Sequence, residues 1–408
     1  MRIYIILTLF LLLTTIASTQ RSNGLEPTTD KLGFMDVPPF VNSEANYIHY
    51  TSQLSGFIEK LKQLKAGKID KLNIVHIGDS HLQAGVLPNE LRRLLQIVYG
   101  HAGRGLIFPY QVAKTNAPFD VRSQSNIEWE CSRNINLNHE VPVGLCGYSL
   151  RTNNSNFTVN IQLKNPDDHF DKVTIFGPVN QNVFDLELHN AEEGRPFLSK
   201  KIAFKAGTCF VLDQAQTSIV VKGSKSNDEQ RFYTLQGLLL ENTKAKGILY
   251  SSVGVNGATF YAYNRSTEFM EQLAALEPDL IILSLGTNEA ADANMRVEGV
   301  KSQISTFLDA LKKSTHCNAV LMVTPPDIYL RSRYRTRHPQ LLAEMMHDLA
   351  KMRGDLAIWD FYEVMGGYGG INNWLYAHFA AKDRIHYTSD GYKLQAQLLF
   401  KALMKAVD

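Results

Sequence analysis

Apolar residues along the chain follow two rhythms. After Lys71 the run Leu-Asn-Ile-Val-His-Ile is short, rich in β-branched side chains and closed by Gly78-Asp79-Ser80, as a strand buried on both faces of a parallel sheet should be. Leu87, Leu91, Leu94, Leu95 and Val98 then recur at helical spacing within 82–98, so strand, tight turn and helix are predicted in that order. The order returns in the second half. Gly247-Ile-Leu-Tyr-Ser-Ser-Val and Asp279-Leu-Ile-Ile-Leu-Ser-Leu predict strands, each followed by glycine, and Ala319-Val-Leu-Met-Val-Thr predicts another that stops at Pro325-Pro326. Amphipathic stretches at 269–276 and 300–311 lie between them, and a last one at 391–404 precedes the C-terminus. Strands and helices alternating in this way predict an α/β fold with a parallel sheet covered on both faces.

From about residue 115 to about 245 the rhythm changes. Short runs alternate apolar with polar at 157–163, 172–176, 183–188, 202–204, 210–212 and 218–221. Turn residues separate them at roughly the eight-to-twelve-residue spacing of a sandwich or barrel. The prediction is an all-β domain at 115–245 inserted into an α/β domain, which it splits into 20–114 and 246–408.

The first residues read differently again. Arg2 is followed by an apolar run from Ile3 to Leu13, broken only by Thr8, and then by small and polar residues through Thr19. A charged start, a short apolar run and a small-residue exit are the pattern of a secretory signal peptide. A membrane-spanning helix needs about 20 apolar residues. Residues 1–19 are therefore expected to be removed, leaving an exported chain, periplasmic or secreted, without a membrane span.

Charge and cysteines then narrow the possibilities. Lys and Arg number 42 against 40 Asp and Glu, a net charge of +2, which gives no basic excess of the kind a nucleic-acid binder uses. Four cysteines in an exported chain permit disulfides, and Cys131 with Cys146, close in sequence, is the expected pair. Neither CxxC nor HExxH occurs, so neither a metal nor a cofactor is implied.

Hydrolysis through a nucleophile needs an activated side chain, a base, a group orienting the base, and donors for the oxyanion. Such groups are sought where ligands bind in open parallel sheets, at the carboxyl ends of the strands. Ser80 lies where the first strand turns into its helix; its commoner role there would be an N-cap. Gly257 follows the second strand and offers an unobstructed backbone N–H, with Gly254 competing for the role. Asn288, after the third strand, has an amide that can donate to an oxyanion. His386 and Asp383, three apart near the C-terminus, have the spacing for a base and the carboxylate that fixes its tautomer. Each match alone is weak.

Together and in order, Gly78-Asp79-Ser80, a glycine, Gly286-Thr-Asn288 and Asp383-x-x-His386 resemble the blocks of the SGNH, or GDSL-type, hydrolase superfamily. The resemblance implies a three-layer parallel-sheet fold, Ser80 as nucleophile, His386 as base, Asp383 as its partner, and an oxyanion hole from the Ser80 N–H, Gly257 and Asn288. Glu289 stands where the superfamily usually has aspartate, which leaves the Asn288 donor intact. No Gly-x-Ser-x-Gly elbow occurs.

Gly78-Asp-Ser-His81, Gly103-Arg-Gly-Leu-Ile-Phe-Pro109, Gly286-Thr-Asn-Glu-Ala290 and Gly369-Gly-Ile-Asn-Asn-Trp374 leading into 381–392 look like bacterial peptidoglycan O-acetylesterases. Those proteins carry a β-rich insert similar to a carbohydrate-binding module. This likeness implies an O-acetylated polysaccharide partner and removal of acetyl from the C6 hydroxyl of N-acetylmuramic acid. His81, Arg104 and Trp374 adjoin the proposed centre and are expected as substrate contacts. Deacetylation of plant or host polysaccharide, acetyl transfer to a saccharide, and glycan binding by the β-rich segment on a scaffold whose site is vestigial stay open at this point.

Overall fold

The structure, a computed structural model, describes residues 32–138, 141–191, 194–197 and 199–407. The expected signal segment 1–19 lies outside the described residues. At the centre is a six-stranded sheet made of β1 (Ile48–His49), β2 (Lys71–Gly78), β3 (Gly247–Gly254), β4 (Leu280–Ser284), β5 (Val320–Val323) and β6 (Ala357–Trp359). Their order is β1-β6-β5-β4-β2-β3. All neighbours are parallel except β1, which runs antiparallel to β6.

Successive side chains on a strand point to opposite faces, and the sheet uses both. Leu72 and Ile74 of β2, with Ile282 of β4 and Leu321 of β5, enter a core shared with α1 (Ser55–Lys65), α3 (Val86–Tyr99) and α6 (Ser389–Val407). Val75 and Ile77, with Ile281, Leu283 and Met322, face the other core, which includes Phe307 of α4 (Val297–Ser314) and Met346 of α5 (His338–Arg353). Helix α3 forms because Leu87, Leu91, Leu94 and Leu95 make one buried stripe; each leucine buried in this way contributes about 1.5–3 kcal/mol. The helix predicted over 82–98 is two helices, the short α2 (Ser80–Gln83) and α3. Gly85 separates them at φ +82, and a Cβ there would sit 2.7 Å from Pro118.

Between α3 and β3 the strands are antiparallel and form three sheets. One contains Ser199–Phe204, Gly207–Gln216, Phe170–Phe176, Gly237–Glu241 and Gly105–Ile107. The second is built from Val121–Ser125, Thr158–Leu163, Ser218–Ser224 and Asp185–His189, and the third from Tyr233–Leu235, Tyr148–Thr152 and Glu130–Arg133. The antiparallel strands thus begin at Gly105, ahead of position 115, because Ile107 pairs with Leu238. Their apolar residues, such as Phe157, Val173 and Leu238, share one continuous core with Val75, Ile77 and Ile281 of the parallel sheet.

The Cys131–Cys146 bridge is not made, and all four cysteines are free thiols. Cys131 lies on the strand paired with Tyr148–Thr152. Cys146 is buried against Gly237, where a Cβ would come within 2.6 Å of its sulfur, and its Sγ lies 3.8 Å from the Ile107 carbonyl. Burial pushes the Cys146 thiol well above its usual pKa. Among the described residues no helix is long and apolar enough to cross a membrane.

Candidate active site

Strand register assembles the site. Gly78, the last residue of β2, pairs with Gly254 on one side and Ser284 on the other, so three strands end level. β3, which follows β2 in the sheet, lies on one flank of it and β4, which follows β3, on the other, the kind of switch in strand order at which ligands bind in open α/β sheets. Ser80 and Asn288 lie in the short helices that follow β2 and β4, and Gly257 in the turn after β3.

Asp79, not Ser80, caps the short helix, since its Oδ1 accepts from the His81 N–H at 3.0 Å. The serine hydroxyl is thereby released from capping. Its Oγ lies 2.9 Å from His386 Nε2, across 306 residues of sequence. His386 Nδ1 is 2.7 Å from Asp383 Oδ2. Asp383 Oδ1 also accepts from the backbone N–H groups of Ile385 and His386, both at 3.0 Å. Arg384, between the carboxylate and the imidazole, is left-handed at φ +55, and the loop closes through Ala381 N–H to the His386 carbonyl at 2.8 Å. Partial burial works to raise the Asp383 pKa, but the hydrogen bonds from His386 and Ile385 outweigh it and hold the carboxylate below its usual value. The Asp383 and His386 side chains keep 41% and 40% exposure, so the pair faces solvent.

On the other side of Ser80, Asn288 Nδ2 donates to the Ala258 carbonyl at 2.9 Å and to Asp79 Oδ2 at 3.3 Å. To serve an oxyanion, the longer of these must be exchanged. Asp79 is wholly buried, and burial raises its pKa to about 6 against the pull of the His81 N–H and His386. Gly257 is exposed in the turn after β3 at φ +81. Gly254 does different work: a Cβ there would lie 2.3 Å from Gln83 N, so its bareness lets β3 touch α2.

Two positioning residues escaped the sequence reading. Gln83 Oε1 accepts from Asn256 N–H at 2.7 Å and Tyr148 OH at 3.0 Å, while its Nε2 donates to Asn116 Oδ1 at 2.7 Å. It joins the serine helix to the turn holding Gly257 and to the antiparallel strands. Its place three residues after Ser80, on the same helical turn, was the available signal. Glu289 Oε1 accepts from Phe260 N–H at 2.8 Å; its Oε2 is buried without a hydrogen-bond partner among the described residues, and burial raises its pKa to about 7.

The three residues expected as substrate contacts are buried. His81 is 6% exposed and packs beneath the site, its ring centroid 5.3 Å from that of His386 and its Nδ1 3.1 Å from Tyr392 OH. Burial lowers its pKa to about 3, so its ring is neutral. Arg104 is buried, donating from Nε to Asp120 Oδ2 at 2.6 Å. Trp374 is fully buried, with its Nε1 donating to the Met365 carbonyl at 3.1 Å and its ring edge-on to Phe361. Arg104 and Trp374 are structural because a buried guanidinium needs its carboxylate and a buried indole its acceptor. Among the described residues, no group of His, Cys, Asp and Glu is arranged to hold a metal ion.

With that geometry in hand, the comparisons define the class. Residues 218–399 match the family described as GDSL-like Lipase/Acylhydrolase. Over these residues the chain resembles the hydrolase domains of the GDSL, or SGNH, type. The match includes Gly257, Asn288, Asp383 and His386 and begins well after Ser80. A solved structure titled as a peptidoglycan O-acetylesterase in action is similar in fold, with a TM-score of 0.72 and 23% identity over 90% of this chain and 98% of that chain. A lipase/acylhydrolase from Enterococcus faecalis aligns over 39% of this chain and 77% of its own, at 20% identity and a TM-score of 0.31. No curated protein sequence matches the chain.

Proposed function

We propose that the protein is a serine esterase that removes acetyl groups from hydroxyls of a cell-wall carbohydrate, with peptidoglycan, acetylated at C6 of N-acetylmuramic acid, as the polymer. The observation that carries this reading is the chain of contacts from Ser80 Oγ to His386 Nε2 and from His386 Nδ1 to Asp383, at 2.9 and 2.7 Å. The long structural likeness to a peptidoglycan O-acetylesterase supports the choice of polymer. Export through residues 1–19 and a glycan-binding role for the β-rich segment at 115–245 belong to the same proposal.

In the first step Ser80 Oγ attacks the acetyl carbonyl while its proton passes to His386 Nε2; Asp383 holds the imidazole by Nδ1 and stabilises the imidazolium. The carbonyl oxygen becomes an oxyanion, which accepts from the N–H groups of Ser80 and Gly257 and from the Asn288 amide. His386 returns the proton to the departing sugar oxygen, and the C–O bond to the sugar breaks. Water, deprotonated by the same imidazole, then releases acetate from Ser80.

The test is acetate release from O-acetylated peptidoglycan, run beside acetylated xylan, by the parent and Ser80→Ala. The expected result is release from peptidoglycan by the parent and almost none by the variant. A serine-directed phosphonate should label the parent at Ser80, as read by peptide mass spectrometry. Equal rates for parent and variant would overturn the nucleophile, and acetate from xylan alone would overturn the polymer.

A further inference from the structure

The chain is nearly neutral overall, yet its cations are not evenly spread. Next to the Asp383–His386 loop a two-stranded hairpin pairs Tyr329–Leu330 with Tyr334–Arg335. It is stitched to the catalytic loop by Tyr329 N–H to the Arg384 carbonyl at 3.1 Å and by Arg384 Nη1 to the Ser332 carbonyl at 3.0 Å. Arg331, Arg333, Arg335 and Arg337 alternate along this segment, and Lys382 and Arg384 flank Asp383. Among the described residues, none of these six cations makes an ion pair, whereas Arg92, Arg93, Arg104 and Arg353 do. Arg331 and Arg333 are exposed, and Arg331 sits at the tip with φ +50, followed by Ser332 at φ +58. Left-handed backbone costs a non-glycine residue about 1–2 kcal/mol, and the tight turn closed by Arg333 N–H to the Leu330 carbonyl at 3.0 Å holds both residues there.

Tyrosines order the remaining guanidinium groups. Arg335 donates from Nε to Tyr329 OH at 3.0 Å, Arg337 lies 4.7 Å from the Tyr368 ring centre, and Arg384 lies 5.0 Å from that of Tyr329. A guanidinium stacked on a ring keeps its edge free for a bidentate bond to a carboxylate. Tyr334 and Tyr368, 57% and 43% exposed, supply flat surfaces of the amphipathic kind that bind well at wet interfaces. The nearby acid Asp327 is buried and accepts from the N–H groups of Gly369 and Ile371, so its charge offsets Arg335 from beneath and leaves the exposed Arg331 and Arg333 without a carboxylate partner.

We propose that this hairpin, with Arg384, is a subsite for the carboxylates that peptidoglycan carries on its peptide stems, holding the strand so that an acetyl ester reaches Ser80. The subsite rests on the esterase reading and adds to it the charge that the substrate must bear. Long-range attraction to an anionic polymer concentrates substrate at the site and weakens with salt.

The test is co-sedimentation of the Ser80→Ala chain with insoluble peptidoglycan, in which catalysis plays no part. Neutralising Arg331→Gln together with Arg333→Gln should weaken binding about tenfold, and Arg331→Glu with Arg333→Glu should weaken it further. Raising salt should weaken the Ser80→Ala chain more than either charge variant. Peptidoglycan whose carboxylates have been amidated should bind the unsubstituted patch poorly, a control that needs no second variant. On O-acetylated peptidoglycan, with Ser80 present, the charge variants should raise KM and leave kcat near that of the parent. Unchanged binding on charge reversal, undiminished binding of amidated polymer, or binding of anionic phospholipid vesicles in place of peptidoglycan would overturn the subsite. If charge reversal leaves both binding and KM unchanged while acetate is still released, the subsite falls and the esterase stands. If carboxylate-dependent binding is present while the parent releases no acetate, the esterase reading falls.

Discussion

Glu289 shows how a single buried carboxyl can link two parts of the site. It holds the Phe260 N–H at 2.8 Å, while its neighbour Asn288 holds the Ala258 carbonyl at 2.9 Å. Two adjacent residues therefore fasten the segment after Gly257 to the end of β4. With no hydrogen-bond partner for Oε2 among the described residues, burial raises the Glu289 pKa to about 7, above the value of an unfolded glutamate. The folded chain then keeps a proton that the unfolded chain releases. The stabilisation linked to that proton is full below about pH 4 and is lost as pH rises through about 7. Thermal melts should accordingly show the parent losing stability between pH 5 and pH 8 relative to Glu289→Gln, whose side chain does not titrate. A constant difference across that range would show that the carboxyl does not change ionisation on unfolding. The meeting of Ser80, His386 and Asp383 was readable from residue type and spacing because chemistry restricts the choices for such a trio. Arg104 was misread because nothing local to it announces Asp120, which comes sixteen residues later and turns back onto it.

The elements readable in the sequence were those whose own pattern suffices. β2, β4 and β5 are apolar runs with clear ends, and α4 and α6 are amphipathic over several turns. The short strand at Gly105–Ile107 carries no pattern of its own and exists because Gly237–Glu241 pairs with it. The break between α2 and α3 depends on Pro118, which lies in a distant loop and fills the space that a side chain at Gly85 would need. The same kind of close approach governs the site at Gly254. A methyl group there would lie 2.3 Å from Gln83 N and 2.7 Å from its Cα. Both are backbone atoms, so no rotamer change relieves the contact and α2 itself must shift. Misplacement of reacting groups by about 1 Å can lower rate about a hundredfold, and Gly254→Ala should lower kcat toward that level with its fold retained. Gly257→Ala has open space, with only Ile135 Cδ1 at 3.8 Å. It should mainly meet the left-handed backbone penalty of about 1–2 kcal/mol and keep most of its turnover. Steady-state rates of the two variants on one small acetyl ester check this ranking, and equal losses would remove the distinction between the two glycines.

The antiparallel strands and the helical layer are also joined by buried charge. Arg92 of α3, 7% exposed in its side chain, meets Asp168 at 2.7 Å and Asp120 at 3.3 Å, and Arg104 meets Asp120 at 2.6 Å. His101 adds a contact to Asp168 at 2.7 Å. Asp120 and Asp168 each precede a strand, Val121–Ser125 and Phe170–Phe176 respectively, so the cluster fixes where two sheets meet α3. A buried ion pair adds little over an apolar substitute, but removing one partner leaves an uncompensated charge and costs about 3–5 kcal/mol. Arg104→Ala should therefore destabilise the protein by that order in denaturant titration, a result unexpected of a surface substrate contact. Burial works to raise the Asp168 pKa, yet the hydrogen bond from His101 and the charges of Arg92 and Arg104 outweigh it and hold the carboxylate well below its usual range. A depressed carboxylate contributes stability that is present above its unfolded value, about 3.9, and is lost as pH falls below that point. Asp168→Asn lacks this contribution at every pH. Its deficit against the parent should be largest at neutral pH and shrink as the pH of the melt is lowered toward 3. A deficit that grew on acidification would show that the cluster is held together by packing and not by charge.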